Sequence, residues 1–312
     1  MNREKKINQL DNLIKSFSDT FKDDEIIYHY TTAEGLNKII QNNEIWLTNT
    51  EFVNDTTECK TFDEQIKSFN ISDIPNKHVQ RQLETWWEGS NNRYIASFSK
   101  KGDSLEQWRA YGPYAIGFKA NNLIKNRFSL HRCTYGFQQI KKWVISKSKI
   151  KKWNASELED TDKYIAAMDL VYFASIKSKN ENFKNEEEIR LFVVSNDNWG
   201  NYPNSPSMFS EDPSIHFRHH SNLKMPVPYV KFFLTNEEEQ ANEIDRRTEI
   251  EVKRDNREKE EKAKKELLPI KEIVIGPMQH QKEAEMACKM LLHEKGYPDC
   301  KINISKIPYR GV

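Results

Sequence analysis

Glycine and cysteine are scarce in this chain, at 10 and 4 of 312 residues. The few glycines form neither a Walker loop nor a Gly-x-Gly-x-x-Gly turn, which disfavours nucleoside triphosphate hydrolysis and a Rossmann dinucleotide site. Gly-x-Ser-x-Gly and His-Glu-x-x-His are also absent, and the lack of the second disfavours zincin chemistry. Cys59, Cys133, Cys288 and Cys300 are scattered without a Cys-x-x-Cys pair, as expected of a reduced protein without structural zinc. No stretch approaches the roughly 18 apolar residues of a membrane span, so no membrane partner is expected. Neither sign of charge dominates. With 48 Lys and Arg against 47 Asp and Glu the net is +1, so any contact with nucleic acid or anionic lipid must come from a local patch. The opening Met-Asn-Arg-Glu-Lys-Lys carries both signs and no apolar run, so a cytoplasmic location without a secretory leader is expected.

What the chain does have is short runs of aromatic and β-branched residues. The most informative is Ile26 to Glu34. Ile26 to Tyr30 reads as a strand with side chains on alternate faces. Thr31 and Glu34 have the spacing of a capping box, and Leu36, Ile39 and Ile40 give the following helix its apolar stripe. His29 therefore stands at a strand end beside a helix N-terminus, whose free N–H groups and dipole suit a phosphate. A histidine placed so either bonds a backbone carbonyl or reaches a ligand.

Along the chain, residues 1–25 read as a lead-in helix with Ile7, Leu10, Leu13, Ile14 and Phe17 on one face. Residues 26–235 form the main α+β domain, 236–267 a charged helical insertion, and 268–312 a strand-helix-strand unit that completes the main domain. Strands are expected at 44–48, 93–99, 114–119, 188–194, 227–234, 271–276 and 301–307. Helices are expected at 60–88 (broken near Pro75), around Trp108 and Tyr111 with Asp103 or Ser104 as cap, at 158–176, and at 279–295. Ile165, Met168, Val171 and Tyr172 make the expected buried stripe of the 158–176 helix. Residues 196–226 read as a long surface loop. Residues 237–266 hold twelve acids and nine bases, which suits a solvated helix or a disordered run and a possible protein partner. Strands and helices alternate irregularly, which places the chain in the α+β class.

The residues able to do chemistry are few. Glu186, Glu187 and Glu188 lead into an apolar strand, where Glu188 shares a face with Arg190 and Phe192 while Glu187 points the other way. Acids before a strand are commonly solvated gatekeepers. A carboxylate fixed at 188 can instead polarise a ribose hydroxyl or stabilise a developing cation, with Arg190 orienting it and holding it ionised. Trp108 and Tyr111, one helical turn apart, either stack on a flat ring or belong to the core. His216, His219 and His220 lack a cysteine or acid at ligand spacing, so no metal site is expected there. The basic runs at Lys141-Lys142, Lys147 to Lys152 and Arg246-Arg247, with Trp143 and Trp153 nearby, suit a solvated face better than nucleic acid.

Taken together, several landmarks resemble a bacterial family called domain of unknown function 2971. They are Tyr28-His29-Tyr30-Thr31-Thr32, Ile45 to Asn49, Phe98-Ser99, Gln107 to Gly112, Ile116 to Phe118, Phe183-Lys184 with Glu186, Glu188 and Arg190, Ile273 to Pro277, and Ser305 with Pro308 to Arg310. The resemblance spans about 27 to 310, and that family's name assigns no activity. A strand ending His-x-Thr, a helix with Leu-x-x-Ile and a short following strand also resemble the start of ADP-ribosyltransferases of the His-Tyr-Glu type. This second resemblance implies a split, mostly antiparallel sheet flanked by helices, and an enzyme that consumes NAD. It would make His29 the ribose contact with Thr31 beside it, Glu188 the catalytic acid, and Glu186 its reserve. No clean tyrosine motif is present, so Trp108 or Tyr111 would have to cover the nicotinamide. The expected acceptor is a macromolecule or water, in keeping with a bacterial toxin or phage-defence effector. The alternative expectation is a non-catalytic nucleotide-sensing or protein-interaction module.

Overall fold

The strand at Arg93–Ser99 (β3) opens on a buried arginine, continues in apolar and small residues and is buried on both faces, and the sheet is arranged around it. The computed structural model describes residues 2–53, 62, 65–85, 93–125, 128–194, 214–220, 224–235, 257–258 and 264–308. One edge of β3 pairs antiparallel with Glu188–Val194 (β8) along its whole length, from Arg93 opposite Val194 to Ser99 opposite Glu188. The other edge is shared by two strands. Ile45–Asn49 (β2) takes its start, with Thr48 opposite Ile95 and Asn49 opposite Tyr94. Ile26–Thr31 (β1) meets only its end, at Tyr28 opposite Ser99. Among the described residues Ala96, Ser97 and Phe98 have no strand partner on that side, and here the sheet forks.

One arm of the fork runs from β1 to Tyr114–Lys119 (β4), Ile270–Ile275 (β11) and Lys301–Ile304 (β12). The other runs from β2 to Met225–Phe232 (β10) and His216–His220 (β9), while Ser129–Arg132 (β5) extends the sheet beyond β8. Every ladder of this ten-stranded sheet is antiparallel except β11 with β12. A separate parallel pair joins Thr134–Tyr135 (β6) to Ser178–Lys179 (β7). The fold is α+β, with a mostly antiparallel mixed sheet flanked by helices.

The helices are Asn2–Lys15 (α1), Ala33–Asn42 (α2), Lys77–Glu84 (α3), Leu105–Tyr111 (α4), Phe137–Ser148 (α5), Asp160–Lys177 (α6) and Gln281–Glu294 (α7). At ten residues α2 is too short to persist alone in water. It is held by burying Leu36, Ile39 and Ile40, at about 1.5–3 kcal/mol for each fully buried side chain. α2 and α7 cover one face of the sheet, against Ile27, Leu47, Phe98, Ile189, Leu191 and Val193. The opposite face has two cores. α1, α3, α5 and α6 enclose Ile95 and Phe192, while Trp108 of α4 covers Tyr30, Ala115 and Val274. The fork lies between these two cores.

The face assignments within β8 match the alternation of the sequence, with Phe192 on one side and Ile189, Leu191 and Val193 on the other. Other expectations are corrected. The helix cap is Thr32, whose hydroxyl accepts from the Gly35 N–H, not Thr31, and Glu34 pairs instead with Lys38. α6 buries Ala166, Ala167, Leu170, Val171, Phe173, Ala174 and Ile176, leaving Ile165 41% exposed. The small alanines let α6 lie close to α1, α3 and α5, so helix packing decided the buried face rather than side-chain size. The lead-in helix stops at Lys15, and Ile7 is exposed. Between 66 and 84 the chain makes two 3-10 turns and then α3, which starts at the Asn76 cap just after Pro75. Ser104 sits at the N-cap of α4 without a side-chain bond, and the Asp103 carboxylate accepts from Trp108 and Ser305 instead. Residues 216–220 and 225–226, expected in a loop, are strand. Trp86-Trp87, residues 195–213 and most of the 236–267 insertion lie outside the described residues. The end of that insertion returns to the sheet, where Lys265 bridges to Thr235 and pairs with the buried Glu44. The basic runs are partly taken up in packing: Lys141 pairs with Asp73, and Lys147 and Lys152 bond the carbonyls of Ser16 and Asn12.

Candidate functional site

A strand edge with no strand partner leaves backbone polar groups to be satisfied by other means. At the fork this falls to His29, whose Nδ1 lies 2.9 Å from the Ser97 carbonyl oxygen. A carbonyl only accepts, so Nδ1 carries the proton and donates. Burial lowers the pKa of His29, with the Ser97 bond opposing it, and the ring is held neutral. Its Nε2 has no hydrogen-bond partner among the described residues and keeps its lone pair. A neutral imidazole in this tautomer accepts a hydroxyl hydrogen and does not pair with phosphate. The ring is held from behind by Phe98, with centroids 5.5 Å apart.

Around His29 the fork opens into a cleft with about 410 Å³ of empty space, part of it open to solvent. Its lining is Tyr28, His29, Tyr30, Ser97, Phe98, Gln107, Tyr111, Glu186 and Glu188. Tyr30 is fixed by donating to the Lys101 carbonyl at 2.7 Å, and burial raises its pKa. Among the sequence candidates, the cleft brings together His29, Tyr111, Glu186 and Glu188. Tyr111 is 37% exposed at the cleft. Trp108 is outside the lining: it is 6% exposed, packs edge-on against Tyr30 at 4.6 Å and donates to Asp103 at 2.8 Å, as a core aromatic does. Thr31 is outside too, pairing with Tyr114 in the ladder, its side chain filling the space a Cβ at Gly35 would need.

Arg190 is fully buried beneath the cleft. Its Nε donates to Glu188 Oε1 at 3.1 Å and its Nη2 to Oε2 at 3.0 Å, while Nη1 bonds the Ile176 carbonyl. Lys179, which no pattern in the sequence singled out, donates both to Glu188 Oε2 and to Glu186 Oε2, the latter at 2.6 Å. It comes from the two-residue strand β7, placed by the end of α6. The Cys133 thiol lies 3.5 Å from Glu188 Oε2, and the Glu188 N–H donates to the Tyr135 hydroxyl at 2.7 Å. Burial alone would push the Glu188 carboxyl up, but Arg190 and Lys179 outweigh it and hold it down at about 2. Glu188 is therefore a carboxylate at any ordinary pH.

The backbone before Glu188 is not the extended strand that its sequence suggests. Glu181–Glu186 is a 3-10 helix, and Glu187 ends it in the left-handed region at φ 44°. That turn sends Glu187 out to Lys101 and brings Glu186 round to the same lysine as Glu188. The site thus holds two carboxylates on one ammonium, a neutral histidine and three tyrosines beside Phe98. No protein-family model, no curated protein and no solved structure matches this chain.

Proposed function

We propose that the cleft binds NAD and loosens its nicotinamide glycosidic bond, in the manner of ADP-ribosyltransferases, with a macromolecule or water as acceptor. One observation carries this reading. His29, Tyr111, Glu186 and Glu188, drawn from three separate parts of the chain, line one cleft at the fork of the sheet. In this assignment His29 Nε2 accepts a ribose hydroxyl, Tyr111 lies on the nicotinamide, and the cleft carboxylates face the cation that develops as the bond opens. The resemblance to the His-Tyr-Glu transferases points the same way, and a toxin or phage-defence role would suit such an activity by analogy. The test is to incubate purified protein with NAD and follow free nicotinamide by chromatography. Release proportional to protein supports the enzyme.

A second reading is a non-catalytic nucleotide-sensing module. It is favoured by the saturation of Glu188, both of whose oxygens are taken by cations. Saturable NAD binding without nicotinamide release would select it.

A further inference from the structure

Two carboxylates face the cleft, and their surroundings differ in a way that separates their roles. The Glu188 side chain is 5% exposed, and every hydrogen bond around it is used to hold it still. Arg190 takes both oxygens and Lys179 a second time one of them. To approach a ribose, Glu188 would have to abandon two buried cations, and a buried cation left without its counter-charge costs several kcal/mol. Glu186 is otherwise placed. Its side chain is 18% exposed, a single donor, Lys179, holds Oε2, and Oε1 has no hydrogen-bond partner among the described residues. The left-handed turn at Glu187 aims it, and its own backbone is pinned by the Ser99 hydroxyl, which donates to the Glu186 carbonyl at 2.7 Å.

Resting on the NAD reading above, we propose that Glu186 is the carboxylate that meets the reacting ribose, that Glu188 is the anchor of the site, and that Lys179 is a positioning residue. Lys179 is held by Glu188 and in turn holds one oxygen of Glu186, leaving the other to the cleft. In the step itself the bond between ribose C1′ and nicotinamide N1 breaks, and its electron pair leaves on N1 as neutral nicotinamide. The cation at C1′ is opposed by the Glu186 carboxylate until the acceptor oxygen attacks, and the proton that oxygen sheds passes to Glu186 and then to solvent. With water the products are ADP-ribose, nicotinamide and one proton.

The experiment measures nicotinamide release, NAD affinity by calorimetry and melting temperature for wild type, Glu186→Gln, Glu188→Gln, Lys179→Met and Lys179→Arg. Glu186→Gln is expected to lose about 10²–10³-fold in kcat, at unchanged affinity and melting temperature. Lys179→Met should lower kcat without moving KM, and Lys179→Arg, which restores the charge, should recover most of it. A purely structural lysine would move the melting temperature and leave the split between kcat and KM alone. Glu186 sits at the rim, so its variant folds even where the anchor variants do not, and it decides the matter. Wild-type turnover with Glu186→Gln equally fast overturns this assignment and leaves the NAD reading standing. A wild type that releases no nicotinamide overturns both.

Discussion

The two edges of β3 are built from the same seven residues and end differently. Toward β8 every residue has a partner, and the side chains near that ladder are locked: Arg190, Glu188 and Lys179 form a closed ionic group, and His131 of β5 is enclosed between Phe173 and Phe192. Toward β1 and β2 the pairing stops for three residues, and a histidine side chain takes the place of a strand. Each region contains a histidine, fully buried at His131 and half-buried at His29, and the contrast between them is plain. His131 is fully buried with neither ring nitrogen hydrogen-bonded among the described residues, and burial, helped by Lys177 and opposed by Asp19, takes its pKa down to about 3. His29 gives one nitrogen to the backbone and offers the other to the cleft. Where hydrogen bonding is complete the sheet supplies stability. Where it is interrupted, the sheet supplies a site.

Changes on the closed edge should therefore register in stability. The largest effect is expected for Glu188→Gln, which takes the buried carboxylate away from Arg190 and leaves Lys179 with Glu186 alone. A loss of about 3–5 kcal/mol in urea unfolding is expected, against less than about 1 kcal/mol for the more exposed Glu186→Gln. Equal losses would break the distinction between anchor and rim. Glu188 also sets an acid dependence. Its folded pKa lies near 2, below the ordinary 4.5, so its contribution is fully present above about 4.5 and is lost as the pH falls through about 2. The urea midpoint of wild type should fall across that window, and the Glu188→Gln profile should be flatter there.

A smaller effect of opposite sign is expected at His131. Replacing it by leucine removes two buried nitrogens that make no hydrogen bond among the described residues, Nδ1 lying 3.9 Å from the Asp19 carboxylate, and should gain about 1 kcal/mol. A loss of that size would reveal a partner for the imidazole and weaken the contrast with His29. The smallest effects lie at the rim of the open edge, where α2 starts. Thr32→Ala should cost about 1 kcal/mol as the loss of a cap, and Glu34→Ala less than about 0.5 kcal/mol as the loss of an exposed pair with Lys38. Both can be read from thermal melts, and the reverse order would restore the cap to Thr31.

Much of this was legible in the residues themselves. Alternation placed β1 to β4, β8 and β10 to β12, though not β5, β6, β7 or β9. In β8 it separated the two faces because Ile189, Leu191 and Val193 fill one while Glu188, Arg190 and Phe192 share the other, so a one-residue slip would bury the wrong set. The strand-and-helix context marked His29, and the transferase resemblance named Tyr111, Glu186 and Glu188 beside it. These four line one cleft, while Thr31, Trp108 and Arg190, named with them, do not. What remained hidden depended on tertiary partners. Lys179 sits in a Lys-Ser-Lys run that reads as solvent-facing, and only the parallel pairing of β7 with β6 turns it inward. Glu186 shares the parity of Glu188 on paper, but the left-handed turn at Glu187 breaks the strand, and its convergence on Lys179 comes from that turn. Trp108 and Tyr111 look alike in sequence. The depth of α4 decides between them, burying one under Tyr30 and leaving the other at the mouth of the cleft.

The most direct test of the open edge as a binding site is calorimetric titration of NAD into wild type and His29→Ala. Removing Nε2 takes away one hydrogen bond to the ligand, worth about 1 kcal/mol or somewhat more, which is close to tenfold in affinity. The expected result is saturable binding by wild type and binding weakened about tenfold in a variant that still melts as a folded protein. Identical titrations for the two proteins, or no heat of binding from wild type at all, would contradict a nucleotide site at the fork of the sheet.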